Sequence, residues 1–437
     1  MLTAKKRLRV LFVSGELIAG DLAYQLKKEG CDVKLYIEDK SRKDCFDGMV
    51  EKTSNWRKEL SWVGKDGLIV FDDVTFKDKA DNLNKKGFTV FGGNQEGSKL
   101  ELKREFAQKI FQKYGLDILE SKDFEDADSA TQYIRKHKGR WVVKQNGHDG
   151  SLTYVGNLDD GSDAISILKS FETSNRSKSF STISLQQRVD GVEVAVARYF
   201  NGKDWNSPIF ISFEHKPLLD GDRGPLTAEM GTLAWYDENE ENKLFLATLN
   251  KIKPFLTKIN YRGYVDINSI VFQDKSFPLE ATMRFGSPTN QLQSEIHLSS
   301  WGELLYTTAR GEKSNLKYKK GYSIVASIAV PPFPYKSISQ EYYLKGVQIL
   351  FKEKLNKSEE GQIHFEEVSM KDSSLYISGS NGYVLYVTGN GDSVESAQRQ
   401  VYSLVNKLVI PRMIYRTDIG LKYVKRDKTL LKKWGWM

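Results

Sequence analysis

The residues best suited to chemistry come in three sets, in chain order. Glu96-Gly97-Ser98-Lys99 puts a lysine at the start of a helical stretch. Trp141-Val-Val-Lys144 ends an apolar strand on a lysine, and Gly147, Gly150 and Ser151 follow in a short loop. Asp266, within Tyr264-Val-Asp-Ile-Asn268, and Glu280, within Pro278-Leu-Glu-Ala-Thr282, lie on strands either side of a turn expected at Asp274-Lys275. Hairpin pairing can bring these two acids together; Thr282 projects from the same face as Glu280, and Arg284 follows. Two ammonium groups, a loop offering backbone N–H groups and carboxylates suited to a hard divalent cation are the parts of a nucleoside triphosphate site. Singly, each has an ordinary reading. Lys99 can be a solvated helix lysine, Lys144 can snorkel at a strand end, and the glycine loop can be a plain hairpin turn. Asp266 resists that reading, because an unpaired carboxylate inside a sheet is costly. His148, beside the loop, reads as solvent-facing.

The elements that must carry these groups follow from periodicity. Arg9–Ser14, Asp32–Ile37, Gly67–Phe71 and Phe88–Phe91 are short apolar runs separated by polar helical stretches, the pattern of a small doubly wound parallel sheet. Lys40–Val63 reads as irregular. A helix is expected from Glu96 to about Tyr114 with Leu102, Phe106, Ile110 and Phe111 on one stripe. Antiparallel strands are expected at Thr182–Val189, Glu193–Phe200 and Pro208–Phe213, and Pro254 breaks the helical stretch Glu240–Ile259. Ser323–Val330, Tyr383–Thr388 and a helix from Ser393, capped by Asp392 with Glu395, make a C-terminal α+β piece. The expected segments are 1–95, 96–322 and 323–437, with a subdomain at about 120–189.

Composition narrows the field. With 65 Lys and Arg against 57 Asp and Glu in 437 residues, the charge is +8, and the basic groups are scattered, as on a solvated surface. No aromatic-basic repeat points to nucleic acid, and no apolar run approaches the roughly 18 residues of a membrane span. Two cysteines, Cys31 and Cys45, fit a reducing cytosol and exclude a disulfide scaffold. The expected setting is cytoplasmic, with neither membrane nor nucleic acid as partner. Trp434 and Trp436 near the end read as packing or fraying.

The ordered set resembles the ATP-grasp superfamily, and within it the glycinamide ribonucleotide synthetase (phosphoribosylamine–glycine ligase) family, over nearly the whole length. Glu96–Lys99 with Lys103 and Phe106 looks like that family's first ATP segment. Arg188-Val-Asp-Gly-Val-Glu193 is similar to its Leu-Asp-Gly-Glu-Glu motif, and Glu214-His215-Lys216 through Asp222, Gly224 and Met230-Gly231 to its Asp-His-Lys … Gly-Met-Gly run. Glu280–Gly286 looks like its Glu-Phe-Asn-Cys-Arg-Phe-Gly segment, and Arg416-Thr-Asp418-Ile-Gly420 matches its close. The resemblance implies an α/β and α+β multidomain protein: a small N-terminal doubly wound (pre-ATP-grasp) domain, an ATP-grasp core of two α+β subdomains and a C-terminal α+β domain.

It also implies a ligase acting as monomer or homodimer. ATP would phosphorylate a carboxylate, glycine in the family, and a phosphorylated or other amine would attack the acyl phosphate. Lys99, Lys144, Gly147, Gly150 and Ser151 would hold phosphates, Gln186 and Gln187 the adenine, and Glu193 the ribose. Asp266, Glu280 and Thr282 would hold Mg²⁺ or Mn²⁺. His215, Lys216, Asp222, Gly224 and Arg284 would meet substrate, with Arg284 and Lys144 serving phosphoryl transfer. The departures are specific. The first loop is Ser14-Gly-Glu16-Leu-Ile-Ala-Gly-Asp21 where the family has Gly-Gly-Arg-Glu-His, and Glu16 and Asp21 would repel a phosphate. Thr282 replaces an asparagine, Ser287-Pro288-Thr289 an Asp-Pro-Glu, and Ala228-Glu229 a Gly-Gly pair. A non-catalytic ATP-binding protein with a degenerate site is the alternative.

Overall fold

The computed structural model describes residues 7–146, 153–173, 182–335 and 344–437, so the expected phosphate loop, Gly147, His148, Gly150 and Ser151, lies outside the described residues. The chain divides into two compact units, each taken by itself below: Met1–Leu116, Glu193–Ser269 and Pro278–Met437 form one, Asp117–Val192 with Ile270–Phe277 the other.

The first unit opens with five parallel strands in the order β3-β2-β1-β4-β5. They are β1 (Arg9–Ser14), β2 (Asp32–Ile37), β3 (Glu51–Lys52), β4 (Leu68–Phe71) and β5 (Thr89–Phe91). Every residue of β4 is buried, as the continuous apolar runs require of a sheet covered on both faces. The stretch Lys40–Val63, expected to be irregular, supplies β3 as an edge and two short 3₁₀ turns. It also sends Trp56 into the core, edge-on to Phe71 with ring centroids 5.9 Å apart. The order reverses between β1 and β4, which opens a crevice at their C-terminal ends beside the helix Gly20–Lys28.

The second unit is an antiparallel four-stranded sheet in the order β6-β9-β7-β8. Its strands are β6 (Ser121–Phe124), β7 (Trp141–Asn146), β8 (Thr153–Val155) and β9 (Thr182–Gln187), and it packs the helix Ala127–Lys136 through Ala130 and Ile134.

The first unit is dominated by an eight-stranded sheet, β16-β15-β10-β11-β14-β17-β22-β19. Its members are β10 (Val192–Asn201), β11 (Ile209–Glu214), β14 (Gly231–Asp237), β15 (Arg262–Phe272), β16 (Lys275–Thr282), β17 (Tyr322–Ala329), β19 (Ile363–Phe365) and β22 (Tyr383–Gly391). The hairpin β12 (Pro217–Leu219) with β13 (Arg223–Leu226) projects between β11 and β14. β18 (Gln348–Phe351), β20 (Val368–Lys371), β21 (Ser374–Ile377) and β23 (Leu408–Val409) form a small sheet of their own. The C-terminal strands β17, β22 and β19 thus extend the same sheet as β10 and β11.

Three local expectations are corrected. The helix expected from Glu96 to Tyr114 is two helices, Gln95–Leu102 and Arg104–Lys113, because Lys103 is extended (φ −120°, ψ 94°). That break resets the helical phase, so Leu100, Ala107 and Phe111 are buried while Leu102 is 51% exposed. The turn between β15 and β16 is Gln273-Asp274, one residue early, with Gln273 at φ 52°. The C-terminal helix is Val394–Val405 and its cap is Ser393, whose Oγ accepts from the Ser396 N–H at 3.1 Å, leaving Asp392 outside. Pro254 sits in the first turn of Lys253–Lys258, after the break it was expected to impose.

Candidate active site

In the first unit a cavity of about 620 Å³ opens over the ends of β11, β15 and β16. Asp266, Glu280, Thr282, Arg284 and Lys216 all line it. Strand alternation explains the pairing of Glu214 with Lys216: two residues apart, they share a face. The Lys216 ammonium lies 3.0 Å from Glu280, 3.1 Å from Glu214 and 3.5 Å from Glu193. Burial works against that ammonium, but the three carboxylates outweigh it and hold its pKa well above the usual lysine range. The Asn268 amide steadies the acids, donating to Glu193 at 2.8 Å and to Glu214 at 3.2 Å.

Asp266 has no such help. Burial, with the negative charges of Glu214 and Glu280 beside it, pushes its pKa well above the ordinary range, Lys216 opposing. A buried acid with two others beside it resists ionisation until a cation arrives. Mg²⁺ or Mn²⁺ suits that demand, since such a cation takes one or two carboxylates and fills its shell with phosphate oxygens and water. Among the described residues no set of three or more His, Cys, Asp or Glu side chains forms a ready metal cluster. Asp266 and Glu280, with Thr282 beside them, could hold a cation shared with a ligand.

Arg284 is fixed from behind by Glu101, which accepts from its Nε at 2.7 Å and from the Met283 N–H at 2.8 Å. Sequence reasoning missed Glu101, although it lies two residues past Lys99. Lys99 itself pairs with Glu96 on its own helix and is not among the residues lining the cavity. His215 faces the other way, as strand alternation dictates. It is buried, its Nε2 accepts from the Gly420 N–H at 3.2 Å, and burial together with Arg416 lowers its pKa to about 4. Asp222, in the turn joining β12 to β13, and Gly224, on β13, also lie apart from the cavity. Asp222 pairs with Arg416 at 3.0 Å and Lys422 at 2.8 Å, which ties the hairpin to the C-terminal Arg416-Thr-Asp418 segment.

In the second unit Lys144, on β7, donates to the buried Gln186 on β9 at 3.0 Å. Gln187, next along the strand, is exposed.

The cavity has a second wall the sequence did not announce. Glu16, Asp39, Arg42 and Glu366 line it. Arg42 is locked between Glu366 at 3.0 Å and Glu367 at 3.1 Å, and donates to the Glu16 carbonyl at 2.6 Å. Burial, with Glu367 alongside, raises Glu366 to about 7, Arg42 opposing. These residues come from segments over 300 positions apart, so spacing carries no signal of their meeting.

Comparison with known proteins bears on the family and the fold. The model of the phosphoribosylglycinamide synthetase ATP-grasp domain matches residues 102–290, and that of the same enzyme's C domain matches 338–422. The structure aligns with phosphoribosylamine–glycine ligase from Thermotoga maritima at a TM-score of 0.69 and 22% identity, covering 94% of this chain and 100% of that one. It aligns with biotin carboxylase from Campylobacter jejuni at 0.64 and 11%, covering 98% and 99%. The fold is the ATP-grasp fold, in line with the ATP-grasp domain model matched over residues 102–290. Among curated sequences it is 26% identical to phosphoribosylamine–glycine ligase of Streptococcus pneumoniae R6, over 81% of this chain and 83% of that protein. It is 27% identical to the same enzyme of Fusobacterium nucleatum, over 84% of each. The chain is a divergent ATP-grasp relative of phosphoribosylglycinamide synthetase.

Proposed function

We propose that the protein is an ATP-dependent carboxylate–amine ligase of the phosphoribosylamine–glycine ligase type, working in the cytosol with glycine as the carboxylate. A carboxylate oxygen takes the γ-phosphoryl group of ATP, giving an acyl phosphate and ADP. The amine nitrogen then bonds to the carbonyl carbon, the carbon–oxygen bond to phosphate breaks, and nitrogen sheds a proton. Amide, ADP and phosphate result. The observation that carries the reading is the convergence of Asp266, Glu280 and Lys216 with Arg284 on one cavity.

Each group has work there. Arg284, held by Glu101, presents a guanidinium whose planar fork suits a carboxylate or a phosphoryl group in transfer. Lys216 neutralises Glu280 and Glu214 and keeps the pocket's charge in check. A divalent cation on Asp266 and Glu280 would supply charge neutralisation for the transferring phosphoryl group. Glu193, beside Lys216, is the proposed ribose contact. On the second unit, Lys144 is a proposed phosphate contact and Gln186 and Gln187 adenine contacts.

The test is glycine-dependent ADP release by the full chain with a panel of amines. Turnover requiring both glycine and an amine is expected. ATP binding with no turnover under any pairing would instead support the non-catalytic alternative, which the substitution of Thr282 for asparagine motivates.

A further inference from the structure

We infer that the amine substrate is an unphosphorylated amine that arrives as its ammonium, met by Glu366 and Glu16, and gives up one proton to solvent before its nitrogen attacks. This rests on the ligase reading above and concerns only which amine enters.

The place where an α/β domain ordinarily receives a phosphate is the crevice at its topological switch point, against a helix N-terminus with free N–H groups. Here that crevice lies between β1 and β4, at the start of Gly20–Lys28. It is filled by the chain's own carboxylates, from the Asp72-Asp73 pair that follows β4. Asp72 Oδ2 accepts from the Ala19 N–H at 2.9 Å and from the Ser14 hydroxyl at 2.8 Å. Asp73 Oδ2 accepts from the N–H groups of Gly15 and Glu16, both at 2.7 Å. The Leu17 N–H is bound by Ser14 Oγ at 2.7 Å. Four amides of the loop leading into the helix, those of Gly15, Glu16, Leu17 and Ala19, are thus already engaged. The approach is close enough to demand glycine: a Cβ on Gly15 would fall 2.1 Å from Thr75 Oγ1 and 2.9 Å from Asp73 Oδ2. A phosphate would have to displace two carboxyl groups of the chain itself, not water.

The cavity itself is richer in acids than in bases. Seven of its lining residues are Asp or Glu and three are Lys or Arg. Each of those three is committed: Arg42 to Glu366 and Glu367, Lys216 to its carboxylates, Arg284 to Glu101. On the wall away from Asp266 one acceptor stands open. Glu366 is 3% exposed, faces the cavity, and its Oε2 makes no hydrogen bond while Oε1 holds Arg42. A buried carboxylate oxygen without a donor is costly, and an ammonium hydrogen is the donor that would repay it most. Glu16, exposed on the first loop, and Asp39 beside it extend the attraction to the entrance.

The experiment measures glycine-dependent ADP release with four amines. Phosphoribosylamine and ribosylamine, formed from ammonia with ribose 5-phosphate or ribose, are set beside putrescine and ethanolamine, with ammonia alone as the blank. We expect an unphosphorylated amine to exceed phosphoribosylamine in kcat/KM by at least about tenfold, and ribose 5-phosphate not to inhibit at millimolar concentration. Glu366→Gln should raise the KM for that amine about tenfold with the KM for ATP unchanged, and Glu16→Gln, at an exposed position, should raise it by about threefold. Preference for phosphoribosylamine, or unchanged amine KM in both variants, overturns the inference and leaves the ligase reading standing. No release with any amine overturns both.

Discussion

Two regions of the first unit bury carboxylates in different ways. At the end of β4, Asp73 spends both oxygens and Asp72 one on the chain's own N–H and O–H groups, and the loop after β1 is built around them. Along β11, β15 and β16, Glu214, the buried Asp266 and the more exposed Glu280 lie near one another with a single ammonium among them. A carboxylate whose acceptors are filled from within is architecture. One that faces its own kind is waiting for a cation from outside. Both look alike in sequence, as acids beside apolar strands.

The difference can be broken by substitution. The largest effect is expected from Glu280→Gln: loss of one charge at the transfer site should cut kcat by about 10²–10³-fold with little change in melting temperature. The mirror image is Asp73→Ala, which strands the N–H groups of Gly15, Glu16 and Thr75 and should cost about 2–4 kcal/mol in urea unfolding. If Asp73→Ala leaves stability intact and Glu280→Gln unfolds the protein, the contrast is reversed.

Titration sharpens it. Glu366 is raised to about 7 in the fold from about 4.5 in the unfolded chain, so the folded state holds its proton more tightly. Stability from this group is full below pH 4.5 and is lost as pH rises to 7, by at most about 3 kcal/mol. Glu366→Gln should flatten that slope in denaturant titrations across the window. Asp266, raised for similar reasons, must lose its proton to hold a cation. Mn²⁺ should therefore raise the melting temperature at pH 8 and lose that effect as acid is added. The smallest effect is reserved for His215→Asn: turned away from the cavity, it should leave the KM for ATP within about threefold.

Much of this was legible beforehand, and the reasons differ by residue. β1, β2, Asp266 and Glu280 were readable because a buried strand needs an apolar run and a charge inside one stands out. Lys216 and His215 were read as one motif, yet a strand sends neighbours to opposite faces, and that separation needs the strand's exact end. Glu101 was overlooked because its meaning depends on Arg284, far along the chain. The Arg42–Glu366–Glu367 group and the Asp72–Asp73 lock were invisible for the same reason: long-range contacts leave no local period.

The membership of β17, β22 and β19 in the large sheet bears on how the protein is made. On the ribosome β14 emerges well before β17, and β17 before β22, so the partner edges of the catalytic half stay open until most of the chain has been translated. The last third therefore cannot be trimmed away or traded between relatives as a free-standing module. Any nascent chain that stalls before it would present a raw sheet edge to its neighbours.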